Sequence, residues 1–313
     1  MNVIVFGGCG FIGSHLVDEL QSQGHNVRVF DRNYELFRLP LINVEYVIGD
    51  FGNRGLVSSA IKGIDVVFHL ISTTVPKTSN DDPTFDVSSN LIETLCLLEA
   101  CVREQVKKVV FVSSGGTVYG IPGNLPINED HPTNPICSYG ITKLAIEKYL
   151  FLFHRLYGLD FSVIRPSNPY GPRQNPKNIQ GSVSVFLGNI LAGQPITIWG
   201  DGSVSRDFIY IHDLIDGIVK ATFIKTEHHI FNIGSGVGTT LTKLLELIRM
   251  VTEADPRVIH TGNRPFDVSE LVLDIKRAQR ELGWAPQTPF LQGAYATWHA
   301  MLVDNEQHKK AGV

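Results

Sequence analysis

The chain has 313 residues, 43% of them hydrophobic and 19% charged, and a formal net charge of −4. Such a composition suits a globular protein with a sizeable core and room for two lobes, and it excludes a general electrostatic grip on nucleic acid. No apolar run reaches membrane-spanning length, and Cys9, Cys96, Cys101 and Cys137 show neither metal spacing nor a disulfide framework.

The chain starts directly on Val3-Ile4-Val5-Phe6, an apolar run of strand length, so no leader is expected and cytoplasmic residence is the expectation. Gly7-Gly8-Cys9-Gly10-Phe11-Ile12-Gly13 follows, and then a helix expected over Ser14 to Gln23 that stops at Gly24. Strand, glycine turn and helix form the context of a dinucleotide site. Gly7 would permit the tight turn, Gly10 the approach of backbone to pyrophosphate, and Gly13 close helix-to-strand packing, while the helix N-terminus offers free N–H groups to phosphate. The spacing is G-x-x-G-x-x-G, and an ordinary glycine turn is the alternative. A second strand, Val27-Arg28-Val29-Phe30-Asp31, ends in a carboxylate eighteen residues after Gly13. A carboxylate there accepts from both adenosine ribose hydroxyls and repels a 2′-phosphate, which points to NAD rather than NADP. Arg32, directly after it, weakens that preference a little, and a strand-ending turn aspartate is the alternative.

Further on, Leu56 to Lys62 is expected to be helical and Asp65 to Leu70 a strand. Pro83 to Glu104 carries a long helical pattern with Leu91, Leu95, Leu98 and Val102 on one side. Val109 to Val112 is a buried strand, Ser138 to Tyr157 another long helix, and Phe161 to Ile164 another strand. This alternation predicts an α/β fold with a doubly wound parallel sheet of Rossmann type, helices covering both faces. Beyond residue 170 Gly and Pro become frequent, and Pro195 to Asp207 reads as short strands and loops. The expectation is an NAD-binding domain over 1–170 and a smaller C-terminal α/β substrate lobe over 171–313, interleaved so that later segments can return to the first. The eleven histidines form no ligand constellation, His228-His229 reading as solvated loop residues, so no metal is expected.

Tyr139-Gly140-Ile141-Thr142-Lys143 is the chemical half of the pattern. Positions 139 and 143 share a helical face, which sets an ammonium beside a phenol. A free tyrosine, with a pKa of about 10, is a poor base at neutral pH. A neighbouring lysine cation and a bound nicotinamide cation both favour its phenolate, so the pair can act as a general base. A buried tyrosine with a surface lysine is the alternative.

Together with these two motifs, Gly49-Asp50, His69-Leu70, Asn90, Ser113 to Gly120, Arg165 to Pro172, Trp199 to Gly202, Arg206 to Asp213, Arg264-Pro265 and Asp274 run in order along the whole chain. The chain thereby resembles an extended short-chain dehydrogenase/reductase of the nucleotide-sugar epimerase/dehydratase family, similar to UDP-glucose 4-epimerases. The resemblance implies that Asp50 and Phe51 contact adenine, that Leu70 sits near the cofactor ribose, and that Lys143 also bonds the nicotinamide ribose. It implies Phe11, Ile12, Asn90, Ser113 and Pro166 in the same cofactor site. On the substrate side it implies Asn168 at the sugar diphosphate and Arg206 and Arg264 on its phosphates, with Ser114, Trp199, Asp267 and Leu271 nearby. Guanidinium suits diphosphate because it stays charged and offers forked donors. Relatives commonly form homodimers through the helices that here are Pro83 to Glu104 and Ser138 to Tyr157, and Ile92, Tyr149 and Phe153 are apolar enough to serve, or else to complete the core.

One departure stands out. Family members usually carry Ser or Thr three residues before Val-Tyr-Gly, where this chain has Gly115. Thr117 is the expected replacement hydroxyl and Ser114 the second choice. Dehydratases of this branch place Asp-Glu where this chain has Gly116-Thr117, so the resemblance favours a 4-epimerase, with a dehydratase, a decarboxylase or a non-catalytic NAD-binding regulator as alternatives. Leu271 stands where glucose-restricted epimerases often have a bulky tyrosine, which would leave room for a 2-acetamido group; packing at the lobe interface is the alternative. Either UDP-glucose and UDP-galactose or their N-acetylated counterparts are the expected substrates.

Overall fold

A computed structural model of the protein describes residues 1–177, 181–262 and 268–311. The first half follows the expected alternation: β1 (Asn2–Phe6), α1 (Phe11–Ser22), β2 (Asn26–Asp31), β3 (Val44–Ile48), α2 (Arg54–Ala60) and β4 (Val66–His69). Then come α3 (Pro83–Asp86), a π-helical stretch (Val87–Ile92) and α4 (Glu93–Arg103), followed by β5 (Lys108–Val112), α5 (Ser138–Tyr157) and β6 (Asp160–Pro166). Helix α1 starts at Phe11, three residues before the expected Ser14, and α2 runs two residues earlier than Leu56 to Lys62. The single helix expected over Pro83 to Glu104 is three successive pieces.

The remainder is β7 (Asn168–Tyr170), α6 (Ser182–Leu191), β8 (Ile196–Trp199), β9 (Ser205–Tyr210), α7 (Ile211–Phe223), β10 (Ile230–Ile233), β11 (Gly238–Thr240), α8 (Leu241–Thr252), β12 (Val258–Thr261), β13 (Glu270–Leu271), α9 (Lys276–Leu282) and α10 (Phe290–Ala311). One parallel sheet of seven strands, in the order β10-β6-β5-β4-β1-β2-β3, is the centre of the molecule. Its parallel strands are covered on both faces, which explains their unbroken apolar character: Val3, Ile4, Val5 and Phe6 are all fully buried. One face packs on α1, α7 and α9 through Leu16, Val17, Leu214, Ile218 and Leu282, and the other on α2, α4 and α5 through Val57, Leu97, Leu98, Ile146 and Leu150. Smaller sheets, β11-β9-β13 with β7 and β12-β8, carry the second layer, whose core includes Phe186, Ile198, Phe208, Leu244 and Ile248.

The strand order places the site. From β1 the chain winds outward to β2 and β3, then crosses back to β4, β5 and β6 on the other side. Ligands of such sheets bind beyond the carboxyl ends of the strands at the point where the winding reverses. Gly7, Asp31, Gly49 and Leu70, each at the carboxyl end of one of β1 to β4, do line one cavity of about 560 Å³. No helix among the described residues is long and apolar enough to cross a membrane.

Candidate active site

The glycine loop closes on itself. Gly7 adopts a left-handed φ of 85°, its carbonyl accepts from Gly10 N–H at 3.1 Å, and Ser14 N–H returns to Gly10 O at 2.9 Å. At Gly13 a Cβ would stand 2.0 Å from the Gly7 carbonyl oxygen and 2.8 Å from Gly8 Cα, so only glycine lets α1 approach the loop this closely. The residue capping α1 is Gly10, which has no side chain to satisfy the first-turn N–H groups, and Phe11 and Ile12 form that first turn against the core. Uncapped donors at a helix N-terminus facing a cavity fit the pyrophosphate of a dinucleotide. Asp31 lies on the cavity wall with Arg32; its carboxylate also accepts from Cys9 N–H and Asn33 N–H, both at 3.1 Å, which fixes it against the glycine loop. Asp50, Phe51 and Leu70 line the same cavity, with the Phe51 ring packed at 5.8 Å from Phe6 and 5.3 Å from His69. These residues fit NAD: a cradle closed to any Cβ, free helix-terminal donors and a carboxylate at the ribose end.

Three other expected cofactor residues make hydrogen bonds within the protein. Ser113 is buried and its hydroxyl donates to Glu147 Oε1 at 2.5 Å. Asn90 is buried, receiving Thr73 N–H at 2.9 Å and donating its amide to the Asp86 carboxylate and carbonyl, each at 3.0 Å. Pro166 is buried at the end of β6, where its carbonyl accepts from Gly115 N–H at 2.9 Å. Cavity positions unread from sequence fall on Ser72 and Thr73 after β4 and on Ser88 and Ser89 in the π-helical stretch. The polar run Ser72-Thr73-Thr74 at a strand's carboxyl end was the available signal.

Tyr139 and Lys143 lie on the first turns of α5, the lysine ammonium 5.6 Å from the centre of the tyrosine ring and 4.7 Å from that of Phe111. Lys143 is buried and donates to Val112 O at 2.9 Å. Ser72, whose hydroxyl donates to Thr74 O at 3.0 Å, lies near enough to the Tyr139 phenol to act on it and also lines the cavity, which sets the pair beside the dinucleotide site. Burial lowers the Lys143 pKa to about 8, against the field of Asp86 and Glu147. Burial pushes Tyr139 well up, reinforced by Cys137 and Asp86, with Ser72 acting the other way. From the protein's own groups the tyrosine is therefore held as a phenol, and the expected lysine effect does not outweigh desolvation. A cationic nicotinamide, when bound near it, would supply the missing attraction.

Across from α5, Gly115 lies where a Cβ would be 2.7 Å from Leu273 Cδ1 and 2.9 Å from Pro166 O. The family's hydroxyl is absent there and its side-chain space is filled. Thr117 Oγ1 is buried with no hydrogen-bond partner, whereas Ser114 is partly exposed and its carbonyl accepts from Thr117 N–H at 3.3 Å. A buried orphan hydroxyl is costly unless something reaches it.

On the substrate side Asn168 donates to Asp207 O at 2.9 Å, and Arg206, on β9, donates to the carbonyls of Ser205 and Val268 at 2.9 and 2.7 Å. Trp199 is exposed at the end of β8. Arg264 and Asp267 lie outside the described residues. Leu271 is only 2% exposed and packs with Val118, Tyr119, Ile127 and Leu273 in a small core. Phe153 is likewise core, 8% exposed, because α5 turns that position toward the sheet.

Comparison with known proteins agrees with this geometry. Residues 3–234 match the family described as NAD dependent epimerase/dehydratase. A UDP-glucose 4-epimerase of Mycolicibacterium smegmatis is 38% identical over 95% of this chain and 97% of its own length. The crystal structure of Thermotoga maritima UDP-glucose 4-epimerase with UDP-glucose superimposes with a TM-score of 0.93 at 34% identity, covering 97% of this chain and 100% of that one. A UDP-N-acetylglucosamine 4-epimerase of Methanobrevibacter ruminantium, in complex with UDP-N-acetylmuramic acid, gives 0.90 at 30% identity, covering 97% and 98%. The glycine cradle, the reversed winding, the Tyr139–Lys143 turn and these matches lead to one conclusion: the chain belongs to the NAD dependent epimerase/dehydratase family.

Proposed function

We propose that this protein is an NAD-dependent epimerase that inverts C4 of a nucleotide sugar, UDP-glucose/UDP-galactose or UDP-GlcNAc/UDP-GalNAc, through a transient 4-keto intermediate. The observation that carries this reading is the Tyr139–Lys143 pair on one turn of α5, its lysine buried, with the cavity residue Ser72 beside the phenol. NAD, when bound, supplies the acceptor that takes the C4 hydride and gives it back. Gly7, Gly10 and Gly13 with the α1 N-terminus would hold its pyrophosphate, Asp31 its adenosine ribose, Asp50 and Phe51 its adenine, and Leu70 would lie near a cofactor ribose.

Tyr139 removes the proton of the C4 hydroxyl and later restores it, so its phenol must ionise within the turnover. Lys143 holds positive charge beneath the ring and is itself anchored by Val112 O. Thr117 supplies the hydroxyl that meets the reacting sugar oxygen in place of the one lost at Gly115, a role supported by its buried, unpartnered Oγ1. Asn168, Arg206 and Arg264 receive the nucleotide diphosphate, with Trp199 and Asp267 elsewhere in the substrate site. Leu271 faces the 2-position of the sugar in this reading, and both sugar pairs enter the test on equal terms. Cytoplasmic residence belongs to the same reading, supported by four cysteines that are all free thiols.

A homodimer is the final part. Ile141, Tyr149, Leu152 and Leu156 expose a stripe along α5 beside Ile92, the pattern of two helices awaiting two more. Sedimentation at micromolar concentration is expected to show a dimer, and Leu156→Glu a monomer; a native monomer rules it out.

The function is tested by incubating the NAD-loaded protein with a panel of UDP- and GDP-sugars and resolving the epimers by NMR. The expected result is interconversion of C4 epimers with no net NADH. Stoichiometric NADH indicates a dehydrogenase instead, and bound NAD without any conversion favours a regulator.

A further inference from the structure

The geometry points to Asp86 as the positioning residue that fixes the Tyr139–Lys143 turn and supplies its counter-charge. The inference rests on the reading of that pair as the proton-moving unit and adds a partner from a different element. Asp86 is fully buried where α3 runs into the π-helical stretch. Its Oδ2 accepts from Ser138 Oγ at 2.7 Å and from Thr142 Oγ1 at 2.8 Å. Ser138 immediately precedes Tyr139, and Thr142 immediately precedes Lys143, so one oxygen grips both ends of the turn that carries the pair. The other oxygen is held by Asn90 Nδ2 at 3.0 Å and by Thr74 Oγ1. Thr74 belongs to the loop after β4 that includes the cavity residues Ser72 and Thr73, and Asn90 Oδ1 closes the circuit by accepting from Thr73 N–H at 2.9 Å. The carboxylate thus ties the cofactor-side loop, the π-helical stretch and α5 into one network.

A buried carboxylate surrounded by four hydroxyl and amide donors, with no ion-pair partner among the described residues, is an expensive way to brace a helix. Its field explains the expense. Facing Lys143 are Tyr139 and Glu147 on its own helix, the neutral His69 on β4, the Phe111 ring and Val112 carbonyl on β5, and Asp86 on α3. Among the described residues only Asp86 and Glu147 oppose the burial that favours the neutral lysine. Facing Tyr139 are Ser72, Cys137 and Asp86. The signs follow. Removing the Asp86 charge leaves Glu147 alone to sustain the ammonium, so Lys143 deprotonates at lower pH. The same removal relieves Tyr139 of a nearby anion, so its phenolate also forms at lower pH. Both limbs of a pH–rate bell slide in the acidic direction, whereas loss of a purely structural brace lowers the bell without moving it.

The test is the Lys143 titration followed by NMR of 13C-lysine-labelled, NAD-loaded protein, assigned with Lys143→Arg, alongside kcat against pH, in native protein, Asp86→Asn and Ser138→Ala/Thr142→Val. Asp86→Asn is expected to lower the Lys143 midpoint by about half a pH unit or more and to carry both kinetic limbs with it. The double variant keeps the charge; it is expected to leave the midpoint in place and to lower kcat about tenfold through misplacement, with KM and bound NAD retained. An unchanged midpoint in Asp86→Asn overturns the inference, and if that variant does not fold, native kcat in the double variant does so. The lysine titration needs no turnover, so a protein that converts no sugar defeats the functional reading while Asp86 is still judged by the midpoint.

Discussion

Restoring the hydroxyl the family usually carries, by Gly115→Ser, is expected to harm this protein rather than improve it. A Cβ at 115 meets Leu273 Cδ1 at 2.7 Å and the backbone oxygens of Pro166 and Arg165 at 2.9 and 3.1 Å. Carbon contacts normally settle at about 3.5–4.0 Å, so Leu273 must retreat by roughly 1 Å. Leu273 is fully buried with Val118, Tyr119, Ile127 and Leu271, and the two carbonyls belong to β6, so neither neighbour gives way cheaply. Overpacking of this kind costs about 1–3 kcal/mol, and at roughly 2–4 °C per kcal/mol the melting temperature is expected to fall by several degrees. Turnover is expected to fall as well, because the strain is delivered to the segment that carries Thr117. Gly115→Ser/Leu273→Ala removes one of the three contacts, so a double-mutant cycle is expected to show favourable coupling between the two positions. Calorimetry and initial-rate assays on the single and double variants measure both quantities. A Gly115→Ser protein as stable as the native one, and at least as active, refutes the steric argument.

Three further outcomes follow from named contacts. Gly13→Ala drives a Cβ to 2.0 Å from the Gly7 carbonyl, so the purified variant is expected to lose bound NAD and to melt at lower temperature; native NAD content contradicts the cradle. Thr117→Val keeps the volume and removes the hydroxyl, and kcat is expected to fall by about tenfold to a hundredfold with little change in stability; unchanged turnover removes Thr117 from the mechanism. Lys143 titrates near 8 in the folded protein and near about 10.4 unfolded, so burying its charge costs stability below pH 8 and the cost is relieved as pH rises between those values. Relative to Lys143→Met, the native protein is therefore expected to gain stability across that interval in denaturant titrations, and a relative loss contradicts the assigned shift.

The strands of the central sheet were legible where both faces are buried, as in Val3 to Phe6 and Val109 to Val112, because continuous apolar runs leave little choice. Strand β3 was not, since Val44–Ile48 is an edge strand of mixed burial that reads like a loop. The return of β10 beside β6 depends on pairing across more than sixty residues, which local pattern does not reveal. At the site, the glycine loop and the Tyr139–Lys143 spacing could be read because each is a local geometry. For Ser113, Asn90 and Leu271 the resemblance gives a ligand role but not the internal partners, which are Glu147, Asp86 and the Val118–Tyr119 core. Asp86 itself escaped notice because its partners, Thr74, Asn90, Ser138 and Thr142, converge from separate stretches of the chain.

The most direct measurement is the fate of deuterium placed at C4 of the sugar nucleotide and followed by NMR in ordinary water with the NAD-loaded protein. If C4 is inverted by a hydride lent and returned within one site, the product epimer keeps its deuterium at C4 and Tyr139→Phe abolishes the conversion. Deuterium lost to solvent, or conversion that survives Tyr139→Phe, contradicts it.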